Sequence, residues 1–203
     1  MSKEVKLHYF LGRGRAETTR WMLAINQFSF NNIPITTPED LIELRGSGKL
    51  PFDQMPLLEI NGMNLSQSSG MIRYLARIGG FYGDNDKEAL YCDMFAGAIT
   101  DFAEASMQAA FQPSNEIAVK MLEERFNKFA PKFELRIKEN GSEFCVGKKI
   151  SFADIILTEA LSSYAEWIPD LLKNTPLLLS IYEKVINQTG IKLYLSSELR
   201  SEE

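Results

Sequence analysis

The segment Ser66-Gln67-Ser68-Ser69 stands just ahead of an apolar run at helical spacing. A helix starting there offers free backbone amides at the positive end of its dipole, which is a ready site for a carboxylate. Capping by Ser66 or Ser68 would use the same helix end, and both roles can hold at once. A second group lies near the N-terminus, where Tyr9 closes a run of β-forming residues and Arg15 opens the helix beyond it. A phenol there is a hydrogen-bond donor, although a tyrosine in such a strand reads by composition as a core aromatic. Arg15 is either a source of positive field or the ion-pair partner of nearby Glu17, and Arg13 reads as a loop arginine. Asp101 falls on a long helical segment, where a solvated acid is the plain alternative to any function.

Other chemistries are disfavoured by what is scarce. The chain has one histidine, His8, and two cysteines, Cys92 and Cys145, far apart in sequence. That argues against a zinc site or a disulfide framework. A thiol–disulfide enzyme of the glutaredoxin kind needs a cysteine at the end of the first strand, and Tyr9 is there instead. His8 alternates with Leu7 and Tyr9 and is expected to face solvent. The net charge of -5 comes without a basic tract, so neither nucleic acid nor an anionic membrane is an expected partner. The N-terminus lacks the apolar core of a signal peptide, and no run approaches the length of a membrane span, so the expectation is a reduced, cytoplasmic protein.

The elements that must position these residues can be traced by period. Residues 5–10 alternate as a strand, and a helix follows from about Arg15 with Ala16, Thr19 and Leu23 on its packed face. Residues 28–34 form a second short strand, and Pro38 to Arg45 a short helix ended by Gly46-Ser47-Gly48. Asn61-Gly62 between two apolar segments predicts a hairpin, because a type I′ turn needs two residues with positive φ. In the next helix Met71, Ile72, Leu75 and Ile78 share a face. The order β-α-β-α-β-β-α fits a thioredoxin-like domain.

Gly79-Gly80-Phe81-Tyr82-Gly83 reads as a linker, which sets two domains at 1–82 and 83–203. The second is all helical, with a buried stripe of Leu90, Met94, Ala98 and Phe102 and a later helix that Pro131 should kink. Ser151 followed by Asp154 resembles a capping box ahead of the apolar run Ile155 to Leu161.

Taken together these segments resemble the cytosolic glutathione transferases of the tyrosine type. Tyr9-Phe10-x-x-Arg13-Gly14-Arg15-Ala16-Glu17 is similar to the family's N-terminal signature. Leu50 to Pro56 resembles the segment ahead of its cis-proline, Ser66-Gln67-Ser68 its γ-glutamyl motif, and Ser151 to Asp154 the capping box of its central C-terminal helix. Within the family, the Arg-Gly-Arg-Ala-Glu run and the short C-terminus look most like the sigma class, which includes prostaglandin D synthases, with the alpha, mu and pi classes as neighbours.

The resemblance implies an α+β two-domain fold, an N-terminal thioredoxin-like α/β domain followed by an all-α domain, and a homodimer. Glutathione would be co-substrate, with no tightly bound cofactor and no metal. Tyr9, with Arg15, would stabilise the thiolate for attack on apolar electrophiles. Glutathione would be held by Tyr9, Leu41, Arg45, Asp53, Gln54, Met55, Gln67 and Ser68, with Asp101 reaching across from the other subunit. Pro56 would be cis and expose the Met55 backbone. Arg45 would meet the glycyl carboxylate in place of a lysine that the family often has where Gln54 stands, and Leu41 replaces a frequent tryptophan. The electrophile pocket would draw on Leu11, Gly12, Arg13, Met107, Ala110, Phe111 and Leu199. Gln108 stands near where prostaglandin D synthase has a tryptophan, and Gly97 and Thr100 near its interfacial metal acids, so neither isomerisation nor metal activation is expected. The other reading is a family member that carries apolar ligands without catalysis.

Overall fold

The computed structural model describes residues 4–200. It divides into two compact units, Met1–Gly79 together with Gln188–Glu203, and Gly80–Asn187.

In the first unit, β1 (Val5–Phe10), β2 (Phe30–Ile35), β3 (Leu57–Ile60) and β4 (Met63–Ser66) form one sheet in the order β2-β1-β3-β4. β1 runs parallel to β2 and antiparallel to β3, with Leu7 opposite Leu58 and His8 opposite Leu57. The parallel pair needs a crossover, which α1 (Glu17–Ile25) supplies after a short 3-10 turn at Gly14–Ala16. The hairpin between β3 and β4 turns at Asn61 and Gly62 with φ of 52° and 79°, the pair of positive values that this turn requires.

α2 (Pro38–Gly46) starts from a capping box, with Thr37 Oγ1 accepting from the Asp40 N–H at 3.1 Å and Asp40 Oδ2 accepting from the Thr37 N–H at 2.9 Å. α3 (Ser68–Gly79) buries Met71, Ile72, Leu75 and Ala76, whereas Ile78 lies 47% exposed at the last turn. Ile78 lies in the last turn of the helix and does not join that buried face.

The chain returns to this unit at α8 (Thr189–Leu195), which packs on α1. A Cβ on Gly190 would lie 1.9 Å from the Ala24 carbonyl oxygen, so only glycine permits the approach. Residues 188–200, placed by sequence with the helical domain, therefore sit with the first unit, and the division falls after Gly79 rather than after Tyr82.

The second unit contains α4 (Asp86–Ala109), α5 (Asn115–Asn140), α6 (Phe152–Ala165) and α7 (Pro176–Ile186). α5 runs on through Pro131. α4 buries Cys92, Phe95, Ala96, Ile99, Phe102, Ala105 and Ala109, so of the expected stripe Phe102 is buried and Ala98 half-buried. Leu90 and Met94 are exposed at 59% and 58%. A strict four-residue step advances about 40° per step around a helix of 3.6 residues per turn, so such a stripe winds off the buried face, which alternates threes and fours. Tyr164 of α6 stacks on Phe102 at 4.3 Å between centroids and donates its hydroxyl to the Phe102 carbonyl at 2.7 Å.

Candidate functional site

Tyr9 sits next to last in β1, half-buried, and β1 delivers its ring to the turn that follows. The Arg15 backbone N–H donates to the Tyr9 hydroxyl oxygen at 3.1 Å. That bond occupies a lone pair of the phenol and leaves its own proton available for a further acceptor. The Arg15 side chain is exposed. Glu17 does not serve as its ion-pair partner: Glu17 is buried at 2% exposure and accepts from Arg20 Nη1 at 3.0 Å, Trp21 Nε1 at 3.1 Å and the Tyr194 hydroxyl at 2.9 Å. Glu17 is thus bonded to partners inside the unit and does not pair with Arg15.

The turn after β1 carries Leu11, Gly12, Arg13 and Gly14. Leu11 is 74% exposed, and the Gly12 and Arg13 carbonyls each accept from Arg20 Nη1 at 3.3 Å. Sequence reasoning missed Arg20. The available signal was a pair of opposite charges, Glu17 and Arg20, three apart on a helix whose neighbours Trp21 to Ile25 are all apolar or buried.

The Met55–Pro56 bond is cis. Pro56 is buried, while Met55 and Leu41 pack against the cluster of Ile35, Leu44, Leu50 and Leu57. Leu41 thus faces the small core under α2, and Arg45 is exposed in the last turn of that helix. Asp53 and Gln67 both hold left-handed backbone, with φ of 51° and 68°. Such positions in non-glycine residues persist only where the surroundings fix them. Gln67 is fixed twice. Its carbonyl accepts from the Gly70 and Met71 N–H groups at 2.9 and 3.1 Å, and its side-chain amide donates to Gln54 Oε1 at 2.8 Å. The amides of Ser68 and Ser69 come before these first bonds of α3, at the positive end of its dipole. The structure therefore joins Gln54 to Gln67, and Tyr9 to Arg15, within the first unit.

His8 is a correction. It is 8% exposed rather than solvent-facing, and its Nε2 lies 2.7 Å from Glu59 Oε1. Glu59 also accepts from Lys49 at 3.1 and 3.0 Å. Burial would raise the Glu59 carboxyl, but the bonds from Lys49 and His8 outweigh it and hold the group below its ordinary value.

Leu199 lines a groove of about 340 Å³ with Ala24, Phe28, Phe30, Leu193 and Tyr194, and its carbonyl accepts from Asn32 Nδ2 at 2.9 Å. In the second unit Asp101 is exposed on α4; Met107, Ala110 and Phe111, at the end of that helix, are exposed too, Phe111 at 87%. Asp154 is fully buried and accepts from the Ser151 N–H at 2.8 Å, the Ser151 hydroxyl at 2.7 Å and the Cys145 N–H at 2.6 Å. Burial pushes its carboxyl up against these bonds, which pull it down. Among the described residues no group of three His, Cys, Asp or Glu side chains could hold a metal ion, and no helix is long and apolar enough to cross a membrane.

The chain is similar to known proteins over both of its units. Residues 5–77 match the model for the glutathione S-transferase N-terminal domain and residues 100–198 that for the C-terminal domain. A pig protein, glutathione S-transferase alpha M14, is 39% identical over 192 residues, covering 93% of this chain and 86% of its own. The crystal structure of a glutathione S-transferase from Ascaris lumbricoides superposes with a TM-score of 0.80 at 30% identity, over 95% of this chain and 96% of the other. That of prostaglandin synthase D of Nilaparvata lugens gives 0.80 at 26% identity, over 96% and 98%. The chain belongs to the glutathione S-transferase family. It has the thioredoxin-like and all-α domains of that fold and glutathione S-transferase activity, with glutathione as co-substrate.

Proposed function

We propose that the chain joins the glutathione sulfur to apolar electrophiles, and that Tyr9 keeps that sulfur ionised. The observation that carries this reading is the Arg15 N–H bond to the Tyr9 oxygen at 3.1 Å. A phenol oxygen that accepts one bond becomes a better donor of its own proton, and a partly exposed phenol can point that proton at a bound thiolate. A free thiol has a pKa of about 8.5, and lowering it by about two units needs roughly 2.7 kcal/mol. One hydrogen bond to the charged sulfur, helped by the field of exposed Arg15, is of the right size.

The rest of glutathione is assigned by the same reasoning. The free amides of Ser68 and Ser69 suit the γ-glutamyl carboxylate. The Met55 backbone suits the cysteinyl backbone, with Asp53, Gln54 and Gln67 beside it, and Arg45 suits the glycyl carboxylate. Leu41 supplies core packing under this region rather than a polar contact. Leu11, Gly12, Arg13, Met107, Ala110, Phe111 and Leu199 are the candidates for the electrophile, and the exposed apolar side chains among them favour an apolar one.

The chain is further read as a cytoplasmic homodimer in which Asp101 contacts glutathione bound by the partner subunit. Exposed Leu90, Tyr91 and Met94 on α4, and Phe52 at 65% exposure in the first unit, are apolar surface that a second copy could cover. The sigma-class reading rests on the Arg13 to Glu17 run. The alpha-class relatives weigh more, and we favour the alpha class.

Substituting Tyr9 by phenylalanine tests the reading. With a model electrophile, kcat at neutral pH is expected to fall by roughly one order of magnitude or more, while glutathione binding changes little. Unchanged turnover in Tyr9→Phe would remove Tyr9 from the mechanism.

A further inference from the structure

Arg20 is 4% exposed, and its guanidinium is spent on internal acceptors. Its Nε donates to Asn32 Oδ1 at 3.0 Å. Its Nη1 donates to the carbonyls of Gly12 and Arg13 at 3.3 Å each and to Glu17 Oε2 at 3.0 Å. Glu17 is itself clamped by Trp21 and by Tyr194 of α8, so the guanidinium cannot drift. The Arg13 carbonyl also accepts the Ala16 N–H at 3.2 Å, which closes the turn carrying Gly14 and Arg15. Arg15 in turn provides the N–H that meets the Tyr9 oxygen.

We propose that Arg20 is a positioning residue for Tyr9, acting through the Gly12 to Arg15 turn. Its Nη1 holds two successive carbonyls, and the held turn aims the Arg15 N–H at the phenol. The buried ion pair with Glu17 alone would be served by a lysine. Meeting Asn32 through Nε while Nη1 meets the carbonyls and the carboxylate takes two nitrogens held in one plane, which a guanidinium has and the single nitrogen of an ammonium lacks. Neither Arg20 nor Glu17 needs to touch glutathione or the electrophile. The inference rests on the role of Tyr9 given above.

The test compares the full chain with Arg20→Lys, Tyr9→Phe and Tyr164→Phe. The ultraviolet absorbance of bound glutathione thiolate is titrated against pH, and kcat/KM is profiled over the same range. Arg20→Lys keeps the charge beside Glu17 but loses the second nitrogen that anchors the head group on Asn32. Its thiol titration is expected to move to higher pH, with kcat/KM at neutral pH down by roughly five- to tenfold, the size of one lost positioned hydrogen bond. That loss should shrink as pH rises, and KM for glutathione should stay near the wild-type value. Tyr164→Phe gives up a buried bond to the Phe102 carbonyl in the other unit, so it should lower Tm and leave the titration in place. A wild-type titration in Arg20→Lys beside a shifted one in Tyr9→Phe overturns the positioning role alone. A wild-type titration in Tyr9→Phe overturns the Tyr9 reading and this inference with it. Should Arg20→Lys not fold, Asn32→Ala releases the Nε end of the guanidinium and is expected to shift the titration in the same direction; an unshifted titration there overturns the proposal.

Discussion

A Cβ built on Gly14 would stand 2.7 Å from the Tyr9 hydroxyl oxygen and 3.0 Å from its Cε1. The ring of Tyr9 lies against the bare backbone of Gly14, and Gly14 holds a positive φ of 41° that a side chain disfavours. Both constraints act on the turn that presents the Arg15 N–H. Gly14→Ala is therefore expected to push the ring and the turn apart and to lengthen that bond. Activity at neutral pH should fall by roughly tenfold, for a stability loss of only about 1–2 kcal/mol measured by denaturant unfolding. Wild-type kcat/KM with alanine at position 14 would show that the close fit has no part in setting Tyr9.

The protein's own thiols should be silent. Burial raises the Cys92 thiol to about 11, and Cys145 is also pushed up by burial and by the nearby Asp154 carboxylate. Thiolate is the reactive form, so at pH 7 to 8 neither cysteine should react with a disulfide reagent in the native state. Both should react once denaturant unfolds the second unit. Fast labelling of either one in folded protein would mean that the α4–α6 core opens far more often than its packing implies. It would also mean that sulfur chemistry here is not confined to glutathione.

What could be read from sequence was whatever depends on local backbone rules. Asn61-Gly62 turns as its residue types demand, and Ser151 with Asp154 caps α6. The strand and helix order of the first unit follows from periodicity. What could not be read depends on partners distant in sequence. His8 looked exposed because strand alternation says nothing of Glu59, which lies opposite Lys6 across β3. Leu90 and Met94 looked buried because a four-residue step mimics a helical face over one or two turns and departs from it over three. Glu17 looked like a partner for Arg15, yet Arg20 takes it from within the same helix and Tyr194 from 177 residues away. The return of α8 onto α1 hinges on Gly190 against Ala24, a fit that no local pattern announces.

The His8–Glu59–Lys49 cluster makes a pH prediction whose sign is fixed by geometry. The folded Glu59 carboxyl lies below its ordinary 4.5, since Lys49 and His8 outweigh the opposing effect of burial. A depressed carboxyl contributes stability that is fully present above the unfolded value and is lost as pH falls through the folded one. Glu59→Gln removes the charge and keeps the shape, leaving Lys49 and His8 without a carboxylate. Near pH 7 it should cost about 1.5–3 kcal/mol, the usual contribution of hydrogen bonds to a charged group. Unfolding curves taken stepwise down through pH 4.5 should show the gap between wild type and Glu59→Gln closing. A gap that stays constant over that range would mean that Glu59 stabilises β3 by packing, and that its charge is not what ties His8 to the sheet.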